Sequence, residues 1–129
     1  MSFPVVIHHN PGCGTSRNVL GIIRAAGHEP TVIDYLKTGW TRPQLLALFA
    51  AAGLTPREAL RTARGPARDL GLMDEEVTDD QIIDAMVAHP VLVNRPIVCT
   101  PKGVRLCRPP ETVLALLERR PPDPSATPD

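Results

Sequence analysis

The chain has 129 residues, of which 43% are hydrophobic and 22% charged, with 14 Lys and Arg balanced by 14 Asp and Glu. That is one domain's length, enough to bury roughly two-thirds of the unfolded surface. The balance excludes a general basic field for nucleic acid, four aromatics are too few for base stacking, and no apolar run approaches the ~18 residues of a membrane span.

Val5-Val6-Ile7-His8-His9 is short, apolar and β-branched, and reads as a buried strand. The turn-rich Asn10-Pro11-Gly12-Cys13-Gly14 follows. From about Thr15, residues Val19, Ile22, Ile23 and Ala26 recur on one helical face, with Gly27 as a stop. Thr31 to Tyr35 alternates as a second strand. Strand, helix, strand is a βαβ unit, whose strands should run parallel through a right-handed crossover.

The middle carries three successive capping boxes: Thr41 with Gln44, Thr55 with Glu58, and Thr78 with Gln81. In each, the threonine can cap an orphan amide while the residue three later reaches back, so each predicts a helix start. The first helix should present Leu45, Leu48, Phe49 and Ala52 and stop near Gly53. The third should present Ile82, Ile83, Met86 and Val87 before His89-Pro90. Residues 41–90 therefore read as a helical block without a strand.

Ile97-Val98-Cys99 and Val104 to Cys107 flank the turn Thr100-Pro101-Lys102-Gly103, predicting a β-hairpin. Residues 111–120 should form a last amphipathic helix through Val113, Leu116 and Leu117. The tail 121–129 holds four prolines in nine residues and should fray. A βαβ unit followed by ββα is the layout of a thioredoxin-like α/β fold, with a helical insertion at about 41–90 inside a single domain of residues 1–120. Topology alone assigns no function.

Three cysteines, Cys13, Cys99 and Cys107, form no even-numbered framework, and the N-terminus lacks a signal-peptide pattern. A reducing, cytoplasmic setting with free thiols is expected. Cys13 is the candidate nucleophile. It lies in a glycine-flanked loop between a parallel strand and a helix N-terminus, where amides and the helix dipole favour a thiolate. The bland reading is an inert buried thiol.

Ser16 stands where a dithiol exchanger has its second cysteine, so a small thiol such as glutathione is the simple resolving partner. Position 19 is Val, not the arginine a phosphatase-type loop needs. His9, at the strand end, is placed to stabilise the thiolate as an imidazolium, or else to serve as a hydrogen-bonded structural residue. His8 should face the other way.

Arg95-Pro96 and Arg108-Pro109 flank the hairpin, which brings its ends together. Their guanidiniums can then converge on one anion, although solvated surface roles are equally open. Pro96 is a candidate for a cis peptide. Cys99 and Cys107 lie at unequal distances from the turn and should not pair. His28 and His89 have no metal-ligand spacing with a cysteine, so no metal site is expected.

Several strings together resemble the glutaredoxin-coupled arsenate reductase family. They are His9 to Asn18, His89 to Val98 and Arg105-Leu106-Cys107-Arg108-Pro109, with Leu60-Arg61-Thr62 and Asp69 to Leu72 between them. The resemblance covers about residues 5–117. It implies reduction of arsenate to arsenite, with Cys13 attacking arsenic(V). Arg61, Arg95 and Arg108 match the family's oxyanion-binding arginines; spacing alone would not choose Arg61 over Arg57 or Arg64. His9, Asn10, Gly14, Thr15 and Ser16 match the supporting residues around the thiolate. The resemblance further implies no bound cofactor, glutathione as co-substrate and glutaredoxin as the partner that clears the mixed disulfide.

Two other functions compete. A related thiol reductase of the same fold should keep the Arg95-Pro96 pair but lack the Arg105 to Pro109 string, so Arg108 discriminates. A redox regulator that binds RNA polymerase favours Cys-x-x-Cys, and this chain has Cys-x-x-Ser.

Overall fold

In the computed structural model, which describes residues 3–63 and 65–119, four short strands form one sheet in the order β2-β1-β3-β4. They are β1 (Val6–His9), β2 (Thr31–Asp34), β3 (Ile97–Thr100) and β4 (Gly103–Leu106). β1 pairs parallel with β2, whereas β3 pairs antiparallel with β1 and β4. Helix α1 (Gly14–Ala25) supplies the crossover between the two parallel strands. This is the thioredoxin-like arrangement expected from the order of elements.

Period-two alternation divides the sheet between two cores. Ile7 and Val98 join Val19 and Ile23 of α1, with Val113 and Leu116, on one face. Ile97 joins Phe49, Ile83, Met86 and Leu92 of the insertion on the other. His8 and His9 accordingly diverge. His8 packs on Trp40 with ring centroids 5.1 Å apart, whereas His9 bonds to Ser16 of α1. The predicted absence of pairing between Cys99 and Cys107 follows from the same alternation. Cys99 packs with the insertion core, Cys107 with the α1 core, and both are free thiols.

All three capping boxes form, because each depends on only four neighbouring residues. They start α3 (Arg42–Ala52), α4 (Pro56–Ala59) and α5 (Asp79–Ala88). Gly53 ends α3 with a φ of 69°, a left-handed conformation that a side chain disfavours.

Three elements and one peptide bond differ from the sequence expectation. The second strand stops at Asp34, whose carboxylate accepts from the Leu36 amide and opens a one-turn helix, α2 (Tyr35–Thr38). α4 is a single turn because Leu60 becomes extended and bridges Val93 antiparallel, so the helical block does contain a strand-like contact. The last helix is a 3₁₀ helix over Pro110–Leu116, not an α-helix over 111–120. Residues three apart eclipse in that geometry, which buries Val113 and Leu116 together, and Thr100 Oγ1 donates to the Leu116 carbonyl at 2.7 Å. Both Arg95–Pro96 and Arg108–Pro109 are cis, whereas only the first was singled out from sequence. The expected frayed tail lies outside the described residues.

Leu60 is 4% exposed and couples the insertion to the sheet-side segment through Val93. Leu60→Ala should therefore cost about 2–5 kcal/mol, read as a lower urea midpoint with an unchanged slope.

Candidate active site

The site is built around Cys13, 8% exposed and the extended N-cap residue of α1. Its loop is held from several sides. The Cys13 amide donates to Asn10 O at 3.0 Å, and the Gly12 amide donates to Asn10 Oδ1 at 2.9 Å. The Asn10 amide donates to Ser16 Oγ at 3.1 Å, and Ser16 Oγ lies 2.8 Å from His9 Nδ1. From outside, Arg17 Nη1 donates to Pro11 O at 2.8 Å. These bonds fix the sulfur over the first turn of α1, where Gly14, Thr15 and Ser16 have amides with no partner inside the helix.

The hairpin delivers two arginines. The Cys107 amide donates to Pro96 O at 2.9 Å, which brings the hairpin's ends together. Arg108 Nη1 then donates to Arg95 O at 2.9 Å and lies 3.8 Å from Cys13 Sγ. Arg95 is buried, with Nη1 3.4 Å from Val91 O and Nε without a partner.

Arg61 arrives through the insertion. Its amide donates to Leu92 O at 2.7 Å, and the Asn94 amide donates to Ala59 O at 2.8 Å, on either side of the Leu60–Val93 bridge. Its Nε is also buried without a partner. Burial, followed by the charges of Arg95 and Arg108, lowers the Arg61 pKa. Three cations thus crowd one thiol. Among the described residues, ion pairs form only elsewhere, at Arg24–Glu29 and between Arg42 and both Asp80 and Asp84. A cluster of guanidiniums without a carboxylate among the described residues, two with an unused buried N–H, has the chemistry to hold an oxyanion.

The thiol responds to this environment. Burial alone would raise its pKa, but the Ser16 backbone amide and then the Arg95 and Arg108 guanidiniums outweigh that and bring it down to about 7. The thiol makes no formal cap bond, yet it occupies the N-cap position from which a side chain meets the third helical amide, that of Ser16. Burial raises the other two thiols, Cys107 to about 12. Iodoacetamide near pH 7 should therefore label Cys13 alone, with a rate that rises through about pH 7 and then levels off. Peptide mapping by mass spectrometry across pH checks this.

Of the two roles open to His9, the geometry fits the hydrogen-bonded one. Its pKa is lowered, chiefly by burial, which disfavours the imidazolium, and its Nδ1 shares a 2.8 Å hydrogen bond with Ser16 Oγ. It braces the loop through Ser16, and the positive charge beside the sulfur comes from arginine. Ser16 likewise serves the thiol with its backbone amide while its hydroxyl ties His9 to Asn10.

Tyr35 went unnoticed in the sequence because it reads as the last residue of a strand. It is 1% exposed and donates to Val93 O at 3.1 Å. Burial is the main reason its pKa is pushed up to about 12. The available clue was that a tyrosine in an aliphatic core needs a partner for its hydroxyl. Among the described residues, no cluster of three His, Cys, Asp or Glu side chains is arranged to hold a metal.

Comparison with known proteins places the family and agrees with the fold. Residues 8–116 match the ArsC family model. The chain is 67% identical over 125 residues to the arsenate reductase ArsI2 of Synechocystis sp., covering 97% of this chain and 89% of that protein. It is 53% identical over 113 residues to an arsenate reductase of Escherichia coli K12, covering 88% and 80%. The solved arsenate reductase of Vibrio cholerae superposes with a TM-score of 0.85 at 38% identity, covering 91% of this chain and all of that one. On the family match and these identities, this chain belongs to the ArsC family.

Proposed function

We propose that the protein reduces arsenate to arsenite with Cys13 as the nucleophile and glutathione as the reductant. The observation that carries this reading is a thiol with a pKa of about 7 facing Arg61, Arg95 and Arg108 with no carboxylate among the described residues paired to them. Arsenate is a tetrahedral oxyanion with an electrophilic centre, and it suits both halves of that site. The relatives' names point to the same substrate.

Arg61, Arg95 and Arg108 hold the arsenate oxygens, and the Cys13 thiolate attacks arsenic(V) while one oxygen leaves as water. The guanidiniums stabilise the charge that gathers on the remaining oxygens. Glutathione supplies the second sulfur. When the Cys13–glutathione disulfide forms, two electrons pass to arsenic, which leaves as arsenite. In sum, arsenate, the Cys13 thiol and glutathione give arsenite, water and the mixed disulfide. A glutaredoxin thiol then attacks the glutathione sulfur and releases the Cys13 thiol. This chemistry suits the reducing cytoplasm.

Arg108, 3.8 Å from the sulfur, favours arsenate over the related thiol reductases as the assigned reaction. A single turnover with arsenate and glutathione but no glutaredoxin tests the scheme. It should leave one glutathione on Cys13 per arsenite formed. Arsenite without that adduct would contradict the order of steps.

A further inference from the structure

Outside the arginine cluster, one surface groove starts one helical turn from the nucleophile, at Arg17. It has a volume of about 420 Å³, within the range of small-molecule sites, and runs between α1 and the start of the C-terminal 3₁₀ helix. Arg17, Gly21 and Ala25 form one wall at helical spacing, and Pro110 and Glu111 form the other. Each wall continues a segment that touches Cys13. Arg17 lies one turn along α1 from Cys13, and Pro110 follows Arg108, whose Nη1 lies 3.8 Å from the sulfur.

The groove carries opposite charges that do not neutralise each other. Arg17 and Glu111 are both exposed, and no ion pair joins them. Arg17 uses Nη1 on Pro11 O, which holds its guanidinium near the Cys13 loop. Between the charges the lining is small and partly apolar. At Gly21 even an added Cβ would meet nothing within 4 Å. Such a channel fits an extended zwitterion that offers a carboxylate to Arg17, an ammonium to Glu111 and a thiol toward Cys13.

From this placement we infer that the groove is the glutathione subsite, with Arg17 binding a carboxylate and Glu111 the γ-glutamyl ammonium. The assignment rests on glutathione being the reductant proposed above. It also explains how glutathione and arsenate bind together. Arg61, Arg95 and Arg108 are occupied by the oxyanion, so the tripeptide's carboxylates require a separate cation.

Thiol–disulfide exchange tests the subsite without arsenate. The Cys13 thiolate attacks one sulfur of glutathione disulfide, a new S–S bond forms, and the old one breaks with its electron pair leaving on glutathione thiolate. The full-length protein and its Arg17→Gln, Glu111→Gln and double variants are compared with glutathione disulfide and with uncharged 2-hydroxyethyl disulfide. Each single variant should slow glutathione disulfide, relative to 2-hydroxyethyl disulfide, about threefold and the pair about tenfold, as for exposed ion pairs. Rates with 2-hydroxyethyl disulfide should stay at the parent value in Glu111→Gln; Arg17→Gln, which also loses the bond to Pro11 O, should slow glutathione disulfide about threefold more than 2-hydroxyethyl disulfide, and Glu29→Gln should match the parent with both reagents. Equal slowing with both reagents would mean a disturbed loop and would overturn the subsite, as would no slowing in Glu111→Gln. A selective loss with glutathione disulfide in a protein that lacks arsenate-dependent turnover would keep the subsite and reject arsenate as substrate.

Discussion

Cys13→Ser is expected to lower arsenate-dependent turnover by more than about 10³-fold, while Cys107→Ser retains most of the parent rate. Both thiols neighbour the same arginine, Cys107 directly preceding Arg108 in the chain and Cys13 Sγ lying 3.8 Å from its Nη1, but their environments are opposite. Cys13 faces the Ser16 amide and two guanidiniums, and at a pKa of about 7 is about half ionised near neutral pH. An unperturbed thiol would be only about 3% ionised there. Cys107 is fully buried among apolar residues and held protonated, with a pKa of about 12. A serine at position 13 would keep the loop's shape but lose the nucleophile, because a hydroxyl at that place has no nearby base. Steady-state rates for both variants, with folding checked by circular dichroism, give the comparison. Equal loss in the two would contradict a single nucleophile.

Arg108→Ala should have the second largest effect, a fall in kcat/KM for arsenate of about 10²–10³-fold, the usual cost of one oxyanion donor. Arg108 has two tasks in the structure. Its Nη1 faces Cys13 Sγ at 3.8 Å, and it bonds Arg95 O at 2.9 Å, tying the two ends of the hairpin together. Losing its charge should also raise the Cys13 pKa, because a positive neighbour favours the thiolate. The rise in alkylation rate should then shift to higher pH than the parent's value near 7. Arg108→Lys should restore part of the thiolate but little of the arsenate affinity, since an ammonium lacks the forked geometry. An Arg108→Ala enzyme with unchanged kcat/KM and an unchanged alkylation profile would remove this arginine from the site.

How much of this was legible in the sequence follows from the range of each interaction. The three capping boxes were readable because each spans four residues, and all three formed. The approach of Arg95 and Arg108 was readable because a hairpin joins its ends whatever surrounds it. Arg61 was different. It reaches the site through the Leu60–Val93 bridge and the bonds beside it, contacts between segments far apart in the chain, and only the family resemblance singled it out. The same bridge ends α4 after one turn, whereas its capping box had predicted only where the helix starts. His9 was placed correctly beside the loop, but its protonation depends on burial, which the sequence does not display. Tyr35 was missed for a related reason, because its role comes from a bond to Val93 across the core.

The most direct measurement of the central claim is arsenate-dependent NADPH oxidation by the purified protein, coupled through glutathione, glutaredoxin and glutathione reductase. Turnover should require arsenate, glutathione and glutaredoxin together and should vanish in Cys13→Ser. A folded protein that oxidises no NADPH above the Cys13→Ser background would contradict arsenate reduction by this thiol.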